Sequence, residues 1–472
     1  MQPPLHVFLR NKTILLTGGT GFLGKVIVER LLRCAPDIGR IYVLIRPQRD
    51  PAAPPLDVTT RFETEILPSG AFNALARLHG DGWSAFARDK VVPIAGDVSM
   101  PRLGLSDGDH RALLTSVDII INSAASVTFD AAIDEAVRHN TRSVERIAEF
   151  ARACRAAVLV HVSTAFVAGR RTGTITEGPL GPDISSAELA AIDEVVGAVR
   201  GEAAARHWDE RGTRACLAQE GMARAKGLGW HDTYTYTKAL GEMVLARDRG
   251  HVPTAIVRPT IIESSLRDPE PGWLENLNVG DPIWVEYGRG RMPDFPFGVD
   301  AVYDIVPVDF VANAILAILP RVEQSNEISY YAVGSGALNP ITGAQIDELT
   351  YEYFTRHPMH DRRGQPIAAR RLTFPTHERF REIYADEARR SATMKRLMYL
   401  ADLYETYMNG GSVFDTANTQ RLLDDMHETD RATLDFDPRR IDWRSYIQEA
   451  HLPGLRRHVL RDGRGRAVRS HV

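Results

Sequence analysis

Cysteine is scarce in this chain. Three residues in 472, Cys34, Cys154 and Cys216, show no CxxC spacing and no even set to pair. That excludes a disulfide-stapled scaffold and a cysteine-built zinc module, and it points to a reduced, cytoplasmic setting. Long hydrophobic runs are missing as well. No stretch reaches the ~18 apolar residues of a membrane span, and the first ten residues hold only a short apolar patch where a signal peptide has a long one. Neither sign of charge is in excess, since 57 Lys and Arg face 61 Asp and Glu, a net charge of −4. Nucleic acid is therefore not the expected main partner. Peripheral contact with lipid and self-association stay open. Internal repeats and low-complexity tracts are absent.

What is present is a globular composition, 44% hydrophobic and 25% charged. At this length one hydrophobic core is usually not enough, so a large domain with a smaller companion is expected. A β-type run, Thr13 to Leu16, leads through a glycine-rich turn into a helical pattern from Lys25 to Arg33, and a second strand follows at Ile41 to Ile45. Further β-type segments at Val91–Ile94, Val117–Asn122, Val158–Ser163 and Thr254–Arg258 alternate with helical patterns such as Ala131–Arg155. This alternation predicts an α/β fold, a Rossmann-type doubly wound parallel sheet with helices on both faces. Pro47 to Pro55 reads as a loop. An Ala- and charge-rich helical insertion falls at about 183–228. The catalytic domain spans 1–335, and 336–472 forms a smaller, mainly helical C-terminal domain related to the substrate.

Gly18, Gly21 and Gly24 in TGGTGFLG stand at G-x-x-G-x-x-G spacing between strand and helix. Glycine permits the tight turn and close backbone approach, and the helix N-terminus offers free N–H groups to a pyrophosphate. Thr17, Gly18, Thr20, Gly21, Phe22, Leu23 and Gly24 are therefore the candidate dinucleotide contacts. NAD-binding units usually end their second strand with an acid that holds the ribose 2′-OH. Arg46 stands there instead, a guanidinium suited to a 2′-phosphate, so NADPH is the expected cofactor, with Arg49 as an auxiliary. The alternative is that Arg46 only caps the sheet edge or bonds a neighbouring acid.

Tyr234 and Lys238 form Y-x-x-x-K, an i, i+4 pair on one helix face. A phenol serves as general acid in carbonyl reduction once a nearby ammonium lowers its pKa. Tyr236 has Leu240 four residues on and is the spectator. At the end of the Val158–Ser163 strand, Ser163 and Thr164 can each present a hydroxyl to a carbonyl oxygen, or satisfy backbone there; Thr164 is the chosen one. No residue spacing suggests a metal.

With the turn, the hydroxyl and the Tyr/Lys pair in this order, the chain resembles the extended short-chain dehydrogenases, and specifically the fatty acyl-CoA reductases with their male-sterility-type NAD(P)-binding domain. TGGTGFLGKVIVERLLR, YVLIRP, GDVSMPRLGL, NSAASVTFD, HVSTAFV, DTYTYTKALGE, IVRPTII, PGWLENLN and IVPVDFVANAIL resemble that family's successive blocks. The tail SVFDTANTQRLL…FDPRRIDWRSYI is similar to its C-terminal domain.

The resemblance implies that Thr164 donates a hydroxyl, that Tyr234 donates the proton, and that Lys238 supports Tyr234 and holds the nicotinamide ribose. It places Asp97 and Val98 at the adenine, Asn122, Ala124 and Ala125 along the cofactor, and Pro259, Thr260 and Ile261 around the nicotinamide. Asn140 is read as the anchor of a water or a backbone turn. The implied reaction is NADPH-dependent reduction of a long-chain fatty acyl-CoA through an aldehyde to a fatty alcohol, as in wax-ester biosynthesis. The three cysteines are read as packing residues, with no covalent enzyme intermediate. The region around Trp273, Ile283, Trp284, Tyr287, Phe295 and Phe297 is a candidate wall for the acyl channel, or else interface core. Basic clusters at Arg362–Arg371 and Arg456–Arg466 are candidates for CoA phosphates or anionic lipid, or else solvated surface. Three alternatives stay open: reduction that stops at aldehyde, an extended dehydrogenase acting on a sugar nucleotide or steroid, and a non-catalytic NADPH-binding protein.

Overall fold

The apolar β-type runs separate out as strands. In chain order these are β1 (Thr13–Thr17), β2 (Arg40–Ile45), β3 (Val91–Ala95), β4 (Ile119–Asn122), β5 (Val158–Val162), β6 (Gly173–Ile175), β7 (Thr254–Pro259), β8 (Ile261–Glu263), β9 (Ile305–Pro307), β10 (Ser329–Val333) and β11 (Ser412–Phe414). They come from a computed structural model that describes residues 3–47, 57–155, 157–292, 294–323 and 326–460. Arg49, most of the loop after β2 and the basic tail beyond residue 460 lie outside the described residues.

Seven strands form one parallel sheet in the order β10-β7-β5-β4-β1-β2-β3. Side chains alternate strictly between its faces. Ile14, Leu16, Ile121, Val160 and Val257 enter one core cluster, while Leu15, Ile120, Leu159 and Ile256 enter another on the opposite side. Burial of both faces explains why these strands read as unbroken apolar runs. The helices Phe22–Cys34 and Val308–Val322 pack together on the first face. Ser143–Ala153 lies on the other, against Thr233–Asp248. Strand order reverses between β1 and β4, which opens a crevice at their C-terminal ends.

The insertion forms two helices, Ser185–Ala205 and Glu210–Gly227, that pack on one another and on Thr233–Asp248. The latter helix is consequently buried nearly all round. Tyr236, the spectator of the Y-x-x-x-K segment, joins these parts: its hydroxyl donates to Glu188, which also accepts from Arg224 Nε at 2.8 Å.

Beyond β10 the chain is mainly helical, including Gly343–Arg356, His377–Ala388 and Ala392–Asn409. It also returns to the first layer. β11 pairs in parallel with β6, and the backbone N–H of Leu5 donates to Asp430 Oδ2 at 2.9 Å. Glu177, just after β6, accepts from the Ala332 N–H at 2.6 Å, the Thr419 hydroxyl at 3.1 Å and the Asn418 N–H. Among the described residues no helix is long and apolar enough to cross a membrane.

Candidate active site

The glycine turn opens into the crevice between β1 and β4. Gly18 has φ +75°, and a Cβ there would sit 2.7 Å from the Ser123 carbonyl, so the turn presses directly on the loop after β4. At Gly24 a Cβ would meet the Gly18 oxygen at 2.1 Å, which makes glycine obligatory where helix and strand converge. Thr17 ties the two strands, donating to Asn122 Oδ1 at 2.6 Å and accepting from the Ala124 N–H at 3.1 Å. Ala125 follows, exposed on the crevice side of this loop. Gly21 caps the Phe22–Cys34 helix without a side-chain bond, and its first turn holds no acid. Thr20 and Leu23 are half-buried in the same turn. The first-turn N–H groups therefore suit an anion, and the turn fits a dinucleotide pyrophosphate. Phe22 turns away from the crevice and stacks on Trp273, centroids 5.3 Å apart.

Arg46 is exposed immediately after β2, and its carbonyl accepts from Arg61 Nη1 at 2.5 Å. His139, with Arg138 beside it, faces the same place: burial, then Arg138 and Arg46, hold the imidazole below its usual range, while Asp97 opposes them. Arg138 and His139 thus stand near Arg46, neither of them expected there from the sequence, while the auxiliary Arg49 lies outside the described residues. Asp97 accepts from the N–H and hydroxyl of Ser99, both at 2.8 Å, and so shapes the loop after β3. Val98 is buried in the core beneath it.

Thr164 and Tyr234 meet at the ends of β5 and of the Thr233–Asp248 helix. The Thr164 hydroxyl donates to the Pro259 carbonyl at 3.4 Å and accepts from the Phe166 N–H at 3.4 Å. It is also hydrogen-bonded to the Tyr234 phenol. The Ser163 hydroxyl is buried without a partner among the described residues. The expectation that Lys238 lowers the Tyr234 pKa is corrected here. Burial and then Asp232 push the phenol up, and only Thr164 pulls it back. An i, i+4 pair shares a face, but its long side chains need not converge. The Val162 carbonyl takes the Lys238 ammonium at 2.6 Å. Burial lowers that ammonium to about 8, against the attraction of Glu242.

Asn140 is a backbone anchor. It sits in a wide π-type turn, Arg138–Arg142, that interrupts the expected Ala131–Arg155 helix. Its side chain accepts from the Ser126 N–H at 2.8 Å and donates to the Ser126 carbonyl at 3.0 Å and the Thr237 hydroxyl at 3.1 Å. The crevice loop is thereby pinned to the Tyr234 helix. Below it, His161 Nδ1 lies 3.0 Å from Asn122 Nδ2. Burial, reinforced by Lys238, keeps this imidazole neutral. Pro259, Thr260 and Ile261 continue β7 into β8 beside Thr164, with the Thr260 N–H bonded to the Val333 carbonyl at 3.0 Å and the Ile261 N–H to that of Asp304 at 3.0 Å.

From Ile261 an apolar cavity extends under the C-terminal helices. Ile283, Trp284, Tyr287, Phe295 and Phe297 line it as expected, together with Tyr404, Tyr407 and Met408 of the Ala392–Asn409 helix. Trp273 does not line it; buried in the core and stacked on Phe22, it follows the interface-core alternative rather than the wall. The Tyr407 hydroxyl donates to Asp232 Oδ2 at 2.5 Å, and Asp232 Oδ1 caps the Tyr234 helix through the Thr235 N–H at 2.7 Å. Phe129 stands edge-on to both Tyr234 and Tyr404, at 5.7 and 5.8 Å. Asp232, Phe129 and Tyr407 were missed in the sequence. Only Asp232 carried a signal, as an acid just before a helix.

Burial pushes Cys34 to about 11 and Cys154 to about 12, so neither thiol is an activated nucleophile. Arg371 is engaged by Glu348 at 2.5 and 3.0 Å, while Arg362, Arg363 and Arg370 are exposed.

Residues 16–315 match a family described as male sterility protein, and residues 380–462 match a second of the same description. A relative named fatty acyl-CoA reductase 2, chloroplastic, from Arabidopsis thaliana is 36% identical over 494 residues, covering 96% of this chain and 79% of its own. The alcohol-forming fatty acyl-CoA reductase of Simmondsia chinensis is 31% identical over 491 residues, covering 96% and 98%. Among solved structures, the terminal R domain from the myxalamid PKS-NRPS biosynthetic pathway superposes with a TM-score of 0.64 at 21% identity, covering 95% of this chain and 91% of that one, a likeness of fold.

Proposed function

The chain belongs to the fatty acyl-CoA reductase family, and from that premise we propose that it reduces long-chain fatty acyl-CoA with NADPH, through the aldehyde, to a fatty alcohol. The observation that carries this reading is the apolar cavity lined by residues from Ile261 to Met408, which is tied to the Tyr234 helix through Tyr407 and Asp232. A lining made almost wholly of apolar and aromatic side chains suits an acyl chain better than a sugar nucleotide.

Thr17, Gly18, Thr20, Gly21, Leu23 and Gly24 would hold the pyrophosphate, with Phe22 shaping the turn from behind. Asp97 and Val98 would lie at the adenine, and Asn122, Ala124 and Ala125 along the dinucleotide. Lys238 would hold the nicotinamide ribose, with Pro259, Thr260 and Ile261 flanking the ring. Arg46, supported by Arg138, would take the 2′-phosphate and select NADPH. When bound, this cofactor supplies the hydride.

Thr164 and Tyr234 donate to the thioester oxygen as charge builds on it. Tyr234 then gives its proton to that oxygen. The thiohemiacetal so formed expels CoA and leaves the aldehyde, whose carbonyl meets the same two hydroxyls in a second round. A buried phenol with a raised pKa is a poor spontaneous acid but holds its proton until an oxyanion stands beside it.

Purified protein given NADPH or NADH and acyl-CoAs of graded length, with products identified by gas chromatography, tests the proposal. Fatty alcohol formed with NADPH is expected. Aldehyde alone would remove the second reduction, and turnover only on sugar nucleotides or steroids would overturn the assignment.

A further inference from the structure

Behind the cavity wall, to which Glu263 contributes, three ionisable side chains from distant parts of the sequence converge: Glu263 at the end of β8, Asp281 at the start of the Asp281–Gly288 helix, and His451. Their relative exposures are 1%, 0% and 0%. One ligand atom from each lies within 4.8 Å of the other two. We propose that Glu263, Asp281 and His451 form a binding site for a divalent first-row transition-metal ion, zinc being the probe of choice.

The hydrogen bonding singles out the free atoms. Glu263 spends Oε1 on the Gly280 N–H at 3.0 Å, and Asp281 spends Oδ2 on the Asn278 N–H at 2.6 Å. Their remaining oxygens, Glu263 Oε2 and Asp281 Oδ1, have no hydrogen-bond donor among the described residues, and neither has His451 Nε2 an acceptor or donor. His451 Nε2 and Asp281 Oδ1 are 3.3 Å apart. Two ligand atoms bound at ~2.0–2.1 Å to a tetrahedral zinc are separated by roughly 3.3–3.4 Å. For Nε2 to present its lone pair, Nδ1 must carry the ring proton. Ser264 Oγ lies 3.0 Å from Nδ1 as its acceptor, the outer-shell arrangement that orients metal-bound imidazoles. The edge of Trp284 fixes the ring from the side, centroids 4.3 Å apart.

Charge argues the same way. Among the described residues no lysine or arginine stands within ion-pair distance of either carboxylate; His451 is the only ionic partner of Asp281. Two buried carboxylates with no cation beside them other than one histidine are costly, and buried charges are normally paired or bound to metal. Imidazole with two carboxylates is a donor set for zinc, iron or manganese rather than for calcium or magnesium. The cation would join β8, the Asp281 helix and the C-terminal turn. Because Glu263 and His451 are far apart in the chain, no sequence spacing announces the site.

The test uses the untagged full-length protein. After dialysis against zinc and removal of excess, metal analysis should give a single equivalent per chain, and zinc should raise the melting temperature in a concentration-dependent way. Cobalt in its place should give visible d–d absorption. Asp281→Asn and His451→Gln, which keep size and hydrogen-bonding capacity, should each lower zinc affinity at least about tenfold, the scale of a lost second-shell contact or more. Wild-type protein that takes up no zinc and shows no melting shift would overturn the proposal, whether or not the variants fold. So would zinc uptake that survives both substitutions.

Discussion

At the mouth of the sheet, Thr164 and Lys238 are held by backbone carbonyls and N–H groups at the ends of β5 and β7, and Tyr234 by the Thr164 hydroxyl and the Phe129 ring. The cavity beside them is walled by side chains drawn from Ile261 to Met408, almost none of them hydrogen-bonded to each other. The first region sets direction: hydroxyls and an ammonium held by Pro259, Phe166 and Val162. The second sets only volume and dryness. Losses in the first region should fall on the chemical step whatever the acyl chain, while losses in the second should depend on chain length.

Three measurements would sharpen or break that division. Tyr234→Phe removes the proton but not the ring, so kcat should fall by about 10²–10⁴-fold for every acyl-CoA, with NADPH affinity within a few fold; near-normal turnover would end the proton-donor role. Leu372→Trp narrows the cavity at a half-buried position. At about 0.8 kcal/mol per methylene displaced, three methylenes cost roughly fifty-fold in kcat/KM. That loss should appear with long acyl-CoAs and vanish with short ones, and a uniform loss would show that the wall also positions the carbonyl. Arg46→Ala should raise the KM for NADPH at least about tenfold, from a loss of roughly 1.5–3 kcal/mol for a charged hydrogen bond. NADH kinetics should not move, and equal changes for both cofactors would transfer the selecting role to Arg138.

The smallest effect is on stability and lies outside both regions. Burial raises the Glu177 carboxyl to about 7, against the N–H groups of Ala332 and Asn418 and the Thr419 hydroxyl. The folded state keeps this proton between 4.5 and about 7, where the unfolded chain has lost it. Its contribution therefore falls as pH rises through that window. Glu177→Gln keeps the acceptor oxygen without the charge, and should narrow the difference in melting temperature between about pH 5 and about pH 8 by about 2–4 °C. An unchanged pH profile would show that water reaches the carboxylate.

The two regions also differ in how far they could be read from sequence. TGGTGFLG, HVSTAFV and DTYTYTK each place their functional groups within one strand-to-helix turn or one helix, so local periodicity and glycine chemistry are enough. The seven-stranded sheet was legible for the same reason, except for β10. The ladders β6–β11 and β8–β9 were not, because three residues carry no usable period. In the cavity wall, Tyr404 and Tyr407 looked like any amphipathic stripe. Only contact with Phe129 and Asp232, more than 150 positions earlier, gives them a place beside the phenol. Trp273 could not be decided for the converse reason: the aromatic of the PGWLENLN block is equally at home in a channel wall or in core, and it packs in the core against Phe22. Even the Tyr234–Lys238 pair was read only in outline, since spacing sets a shared face and not the direction in which a lysine points.

The bond from the Leu5 N–H to Asp430 Oδ2 joins positions 425 apart in the chain. On a ribosome adding ~5–20 residues per second, the N-terminal segment waits roughly 20–85 s before its partner is even made. Through that interval the helix beside β1 has Arg30 without its Thr433 contact, and the crevice lacks the helices that roof the cavity. The cavity wall itself begins only at Ile261 and is completed by Tyr404, Tyr407 and Met408, so its apolar surface stands open only while that later stretch is being made.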